Sequence, residues 1–162
     1  MSYPSDDAEI SARFRPTGEV ESLTFRSGTV VRFVAPGSVT NGQFGLFEWD
    51  MRSGQGGAGP HFHKTFSESF YVVSGRVRFY DGRTWVTGEK GDFLYVPAGG
   101  AHAFENPFDE PASMLILFSP GAPREDFFRE LIDNASAGRQ LTPAERAAML
   151  ARHDQYDAGP AA

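Results

Sequence analysis

The 162-residue chain is the size of one domain with a sizeable core, and its 15 Phe, 18 Gly and 11 Pro favour an all-β barrel or sandwich over a helical bundle. A formal net charge of -6 argues against nucleic acid or an anionic membrane surface as partner, and with no Cys any metal must be held by His and carboxylate. The N-terminus, MSYPSDDAEI, has no apolar signal-peptide core, and the longest aliphatic run is MLILF at 114–118, so the expectation is a cytoplasmic protein without a membrane span.

Residues 1–19 are polar and patternless and read as a loose arm whose Tyr3 and Phe14 can dock on a neighbour. Thr24–Phe25 and Thr29–Ala35 read as short strands broken at Ser27-Gly28 and Pro36-Gly37. A strand at 43–51 carries large apolar residues on both faces, as expected of a barrel wall covered by another sheet or subunit; together with an open sheet edge it predicts a homodimer. RSGQGGAGP reads as a flexible approach to the next strand, either an ordinary connection or a rim loop. SFYVV and RVRFY read as a hairpin turning at Ser74-Gly75, and Asp81-Gly82 turns the chain into RTWVT. Arg76 and Arg78 alternate with Val77 and Phe79, the pattern of a solvated strand face. FLYVP, His102–Asn106 and ASMLILFS complete an expected nine to eleven strands, enough for a double-sheet jelly roll.

From Pro123 the apolar period changes from two to 3.6: Phe127, Phe128, Leu131 and Ile132 share one stripe of a helix over 124–135, placed across the barrel mouth or on its outside. Thr142-Pro143-Ala144-Glu145 is a capping box that predicts a second helix over 143–153, with His153 at the end where a cation is favoured. The chain thus divides into an arm (1–19), a β-barrel (20–122) and a C-terminal helical extension and tail (123–162), with no internal repeat.

Three of the four histidines fall between positions 61 and 106. His61 and His63 sit at i and i+2, which on a strand sends both imidazoles to one face with Cα atoms about 6.6 Å apart. A turn after KTFS can bring Glu68 to the same side, and His102 can supply a third nitrogen from a returning strand. Three imidazoles and one carboxylate suit one divalent transition metal (Fe, Mn, Ni, Co, Cu or Zn) and are too nitrogen-rich for Ca or Mg. A lone HxH is usually a pair of surface or core histidines; the joint pattern is what carries weight. HxH, four residues, Glu, six residues, Gly is followed by Gly, five residues, Pro, one residue, Gly, two residues, His, three residues, Asn.

That pattern resembles the two motifs of the cupin superfamily, which implies a jelly-roll barrel and metal ligands at His61, His63, Glu68 and His102. The chain departs from it at Gln55, where the family has glycine, amid Gly54, Gly56, Gly57 and Gly59. Alternation from Glu68 and His102 points Phe70, Val72 and Phe104 into an apolar, aromatic cavity. Four protein ligands on an octahedral metal leave two positions for substrate or O2. The HxHxxxxE form, FYVVSGRVRFY and the later Phe-Phe helix are similar to bacterial flavonol (quercetin) dioxygenase-like proteins. The resemblance implies a dioxygenase acting on an enolic, phenolic or flavonol-like molecule, with Glu68 as both ligand and base. Two alternatives stand beside it: a redox-neutral cyclase or isomerase, for example polyketide cyclase-like, and a non-catalytic small-ligand-binding cupin.

Overall fold

The computed structural model describes residues 5–161; Tyr3, one of the two arm aromatics, lies outside the described residues. Among the described residues eleven strands form two antiparallel sheets. In chain order they are β1 (Ser22–Thr24), β2 (Val30–Ala35), β3 (Gly45–Met51), β4 (Gly56–Phe62), β5 (Ser67–Ser74) and β6 (Arg76–Tyr80). β7 (Trp85–Glu89), β8 (Phe93–Val96), β9 (His102–Glu105) and β10 (Ala112–Ser119) follow. Then come helices α1 (Arg124–Ser136) and α2 (Pro143–Arg152), and β11 (Tyr156–Asp157) closes the chain. One sheet runs β1-β2-β3-β10-β5-β8 and the other β11-β4-β9-β6-β7, the jelly roll expected of the sequence.

The period-2 alternation of the strands builds the core. Phe47, Trp49 and Met51 on β3, Met114, Ile116 and Phe118 on β10, and Phe70 and Val72 on β5 are all buried, facing Val77, Phe79 and Phe104 of the second sheet. Each such side chain contributes about 1.5–3 kcal/mol on leaving water. The expected two-sided burial of the 43–51 strand is corrected here: Leu46, Glu48 and Asp50 face the other way and are only half-buried. Arg32 bonds Glu48 and Asp50 on that outer face, so its polar groups are solvated and paired without a covering layer. Exposed aromatics gather elsewhere, as Tyr71, Phe93 and Tyr95 on adjoining β5 and β8.

Two further expectations change. β5 and β6 are not a hairpin, because β5 pairs with β10 and β8 whereas β6 pairs with β7 and β9. Only Gly75 separates them, at φ 67°, and a Cβ there would lie 2.3 Å from the carbonyl oxygen of Pro111. One left-handed residue turns a corner between sheets, and it is too short to reverse a strand onto itself. The glycine-rich segment before His61 is largely strand and not a loose approach, since β4 begins at Gly56 and pairs with β9 through irregular register. A Cβ on Gly57 would fall 2.3 Å from the Phe104 ring and 2.4 Å from its carbonyl oxygen, so absence of a side chain is what lets this strand close on β9. The glycine missing at Gln55 is compensated by its neighbours, Gly54 taking the positive φ of 66° and Gly57 the close approach.

At the barrel mouth α1 inserts Phe128, whose ring centroid lies 5.4 Å from those of both Phe47 and Trp49. α2 starts with the expected capping box: Thr142 Oγ1 accepts from Glu145 N at 3.3 Å and Glu145 Oε2 accepts from Thr142 N at 2.9 Å. It buries Met149 and Leu150, and β11 then adds to the edge of β4, with Tyr156 opposite Phe62 and Asp157 opposite His61. Arg76 and Arg78 are about 40% exposed and pair with Glu110 and Glu105, as a solvated face requires. His153 caps α2 and contacts Glu130 at 2.7 Å. In the arm Ile10 and Phe14 are exposed. None of the described helices is long and apolar enough to cross a membrane.

Candidate metal centre

His61 lies near the end of β4 and His63 just beyond it, both buried, and Glu68 enters on β5 from the opposite sheet. The crossing between them is a turn at Lys64-Thr65. Asp154, from the C-terminal tail, fixes that turn with its carboxylate, which accepts from Lys64 N at 3.1 Å, Thr65 N at 2.8 Å and Thr65 Oγ1 at 2.6 Å. His102 opens β9 directly opposite His61, with ring centroids 4.2 Å apart. Phe66 stacks on His63 at 4.3 Å and limits its rotation. One potential ligand atom from each of His61, His63, Glu68 and His102 falls within 4.8 Å of all the others.

Each imidazole is oriented by a backbone carbonyl. His61, His63 and His102 donate from Nδ1 to Gly59 O (2.8 Å), Asp154 O (2.6 Å) and Gly100 O (3.0 Å). A carbonyl can only accept, so Nδ1 carries the proton and Nε2 is left as the ligating atom. His63 Nε2 and His102 Nε2 lie 3.0 and 2.8 Å from Glu68 Oε2. Lone pairs therefore converge on lone pairs unless a proton or a cation sits among them. A buried set of three imidazole nitrogens and one carboxylate oxygen fits a divalent transition metal.

The electrostatics agree. Burial, then the neighbouring His102 and His63, hold the His61 imidazole down at about 3, neutral and ready to ligate. Burial alone would raise Glu68, but His102 and His63 outweigh it and keep the carboxyl well below its usual range. Burial pulls His102 down, and the charge and hydrogen bond of Glu68 overcome that and raise it.

A cavity of about 560 Å³ opens onto this centre. Of the four candidate ligands His61 and Glu68 line it, with Phe104 among the expected pocket residues. Phe70 and Val72 point inward but do not line the cavity: Phe70 packs on Phe79, His102 and Phe104 beneath the site, and Val72 is sealed in the core. Most of the wall comes from residues that the motif reading passed over, including Trp49, Phe118, Phe127, Phe128 and Arg124. The signal for Phe127 and Phe128 was the helical stripe; its contribution to the site depends on α1 crossing the mouth.

Known proteins match this architecture. The cupin domain family matches residues 47–118, a segment that contains all four residues of the candidate metal centre. The chain is 34% identical over 110 residues to a protein named polyketide synthase CurC from Streptomyces cyaneus, covering 65% of this chain and 68% of that one. Among solved structures, the polyketide cyclase RemF from Streptomyces resistomycificus is 20% identical with a TM-score of 0.56, over 67% of this chain and 79% of its own. A cupin-superfamily sugar phosphate isomerase from Silicibacter pomeroyi gives 21% and 0.56, over 66% and 75%. At these identities the structural likeness is one of fold. With the cupin domain family matching residues 47–118 and a 34% identical relative covered over two thirds of its length, this chain belongs to the cupins.

Proposed function

We propose that this protein is a metal-dependent cupin enzyme that rearranges a planar, oxygen-rich aromatic of the polyketide type by redox-neutral cyclisation or isomerisation. The observation that carries the proposal is the aromatic-walled cavity of about 560 Å³ that ends on His61 and Glu68. Similarity to a polyketide synthase component and to a polyketide cyclase supports this choice over the dioxygenase. A divalent metal held by His61, His63, Glu68 and His102 supplies Lewis-acid polarisation of substrate oxygens, and a redox-capable one also supplies oxygen chemistry.

The chain's own residues supply the rest. The phenylalanine walls exclude water and orient a flat ring system. Glu68 is the acceptor for an enolic or phenolic proton. Its low pKa depends on contact with His63 and His102, and burial by itself favours the protonated acid. A small displacement from those imidazoles therefore raises its basicity when the substrate arrives.

The dioxygenase is the second reading, favoured by the aromatic wall beside a three-histidine, one-glutamate set, with O2 as co-substrate. The two are separated by turnover of anthrones and flavonols by metal-loaded protein, followed with an oxygen electrode and repeated without oxygen. Equal anaerobic turnover is the expected result, whereas stoichiometric oxygen uptake overturns the redox-neutral reading. Turnover undiminished after chelation, with no metal by elemental analysis, overturns the metal reading. We also propose a homodimer, now through the exposed Tyr71, Phe93 and Tyr95 face in place of β3. Sedimentation at the 17.8 kDa mass of one chain at micromolar concentration refutes it.

A further inference from the structure

Arg124, the first residue of α1, is only 4% exposed. Its guanidinium lies among Phe66, Phe118, Phe127 and Phe128, at 4.1 Å from the Phe127 centroid and 5.7 Å from that of Phe66. It donates from Nη1 to His153 O at 2.9 Å and from Nη2 to Gln155 Oε1 at 2.8 Å. Both acceptors are neutral, and among the described residues no carboxylate forms an ion pair with it. Burial lowers its pKa to about 10, which leaves it a cation at neutral pH. Glu68 and Asp154 attract this charge from a distance, but no carboxylate touches it, and a buried charge held only by neutral acceptors is costly in a way that packing alone does not call for.

Arg124 lines the same cavity as His61 and Glu68. The other charges on that wall are accounted for. Arg146 pairs with Asp157 at 2.7 Å near the exposed edge, and Glu68 belongs to the ligand set. Arg124 Nε is buried without a protein partner, and so is Nε1 of Trp49, another wall residue. A cation with donor capacity to spare, set among aromatic rings, is matched by a flat ring system bearing a negative oxygen.

We infer that the cavity takes an aromatic anion, with its carboxylate, phenolate or enolate oxygen paired to Arg124 and its ring packed between the phenylalanine walls. The inference rests on the reading of this cavity as the substrate site. Arg124 is then the residue that selects acidic over neutral aromatics, and it also ties α1 to the tail through His153 and Gln155.

The test is isothermal titration of the protein with 2-naphthoate and with its neutral counterpart 2-naphthamide, before and after chelator treatment. Wild type is expected to prefer naphthoate by at least about 10-fold, the worth of one charge-assisted hydrogen bond. Arg124→Met should lose that preference while binding the amide as before, and Arg124→Lys should keep most of it. Replacing a buried charge with an apolar side chain of similar length is commonly neutral or stabilising, so Arg124→Met is expected to melt cooperatively. If it does not fold, wild type and Arg124→Lys are judged on the same ratio. A ratio near one in wild type, or an undiminished preference in Arg124→Met, overturns the inference. Metal content of the same samples reports separately on the metalloenzyme reading: naphthoate preference in chelated protein upholds Arg124 even where that reading fails.

Discussion

Asp154→Ala tests whether the tail positions the candidate metal ligand His63. The side chain accepts from two backbone amides and a hydroxyl at 2.6–3.1 Å, and its own carbonyl accepts from His63 Nδ1 at 2.6 Å. Hydrogen bonds to a charged acceptor are worth about 1.5–3 kcal/mol each when buried, but Lys64 and Thr65 are exposed and their freed amides can reach water. About 1 kcal/mol for the three together is a fair discount. Asp154 also sits at φ 52°, where alanine costs about 1 kcal/mol more than aspartate. A loss of about 2 kcal/mol in stability is expected, measured by denaturant unfolding of metal-free protein. Releasing the loop also frees His63 Nδ1 from its acceptor, and loss of such a supporting contact weakens metal binding by about 10- to 100-fold. Competition against a chromophoric chelator measures that, with Asp154→Gly relieving the φ cost so that the two effects separate. If Asp154→Ala loses stability yet holds metal as tightly as wild type, the tail is a structural clasp and the reasoning about His63 fails.

His63→Ala is expected to abolish stoichiometric metal while leaving a cooperatively folded β protein; one tightly bound metal per chain by elemental analysis would contradict the ligand set. Metal binding should release a proton, because Glu68 raises His102 in the metal-free centre and a ligating imidazole must be deprotonated. Affinity then rises with pH up to that raised pKa and levels off above it. Calorimetry in buffers of different ionisation enthalpy reads the proton count, and buffer-independent heats at neutral pH refute the sign. Gly57→Ala places a Cβ 2.4 Å from the Phe104 carbonyl oxygen, so β4 must part from β9. The expected loss is about 1–3 kcal/mol in denaturant unfolding, with weaker metal binding because His61 and His102 face each other across that pair.

The clustering of His61, His63, Glu68 and His102 was legible because each is fixed by local rules: alternation sets His61 and His63 on one face, a short turn returns Glu68, and glycines flank the approach to His102. Both helices were legible from period and capping. The corner at Gly75 was not, since Ser-Gly serves a hairpin and a sheet crossing equally, and only the Pro111 carbonyl decides between them. Gly56, Gly57 and Gly59 read as loop because composition says nothing of the Phe104 ring that closes over Gly57. Phe70 and Val72 were correctly aimed inward, but alternation fixes a face and not a depth.

The largest gap concerns the tail, and it has one physical cause. Nothing in the sequence near His63 announces that its Nδ1 partner is 91 residues away, or that a charged helix residue, Arg124, is buried among four phenylalanines. Residues that hold the ligands by strand geometry lie within the matched cupin segment, 47–118. Those that close the mouth lie outside it: Arg124, Phe127 and Phe128 line the cavity, Asp154 holds the Lys64-Thr65 turn, and Asp157 pairs opposite His61. A residue set carried by a shared barrel can serve many reactions, so the family resemblance reaches the fold and the candidate metal-binding group and stops there. Outside the matched segment the chain supplies part of the cavity wall and its buried cation. It follows that substrate choice should respond to substitutions in α1 and the tail, and metal choice to substitutions in β4, β5 and β9.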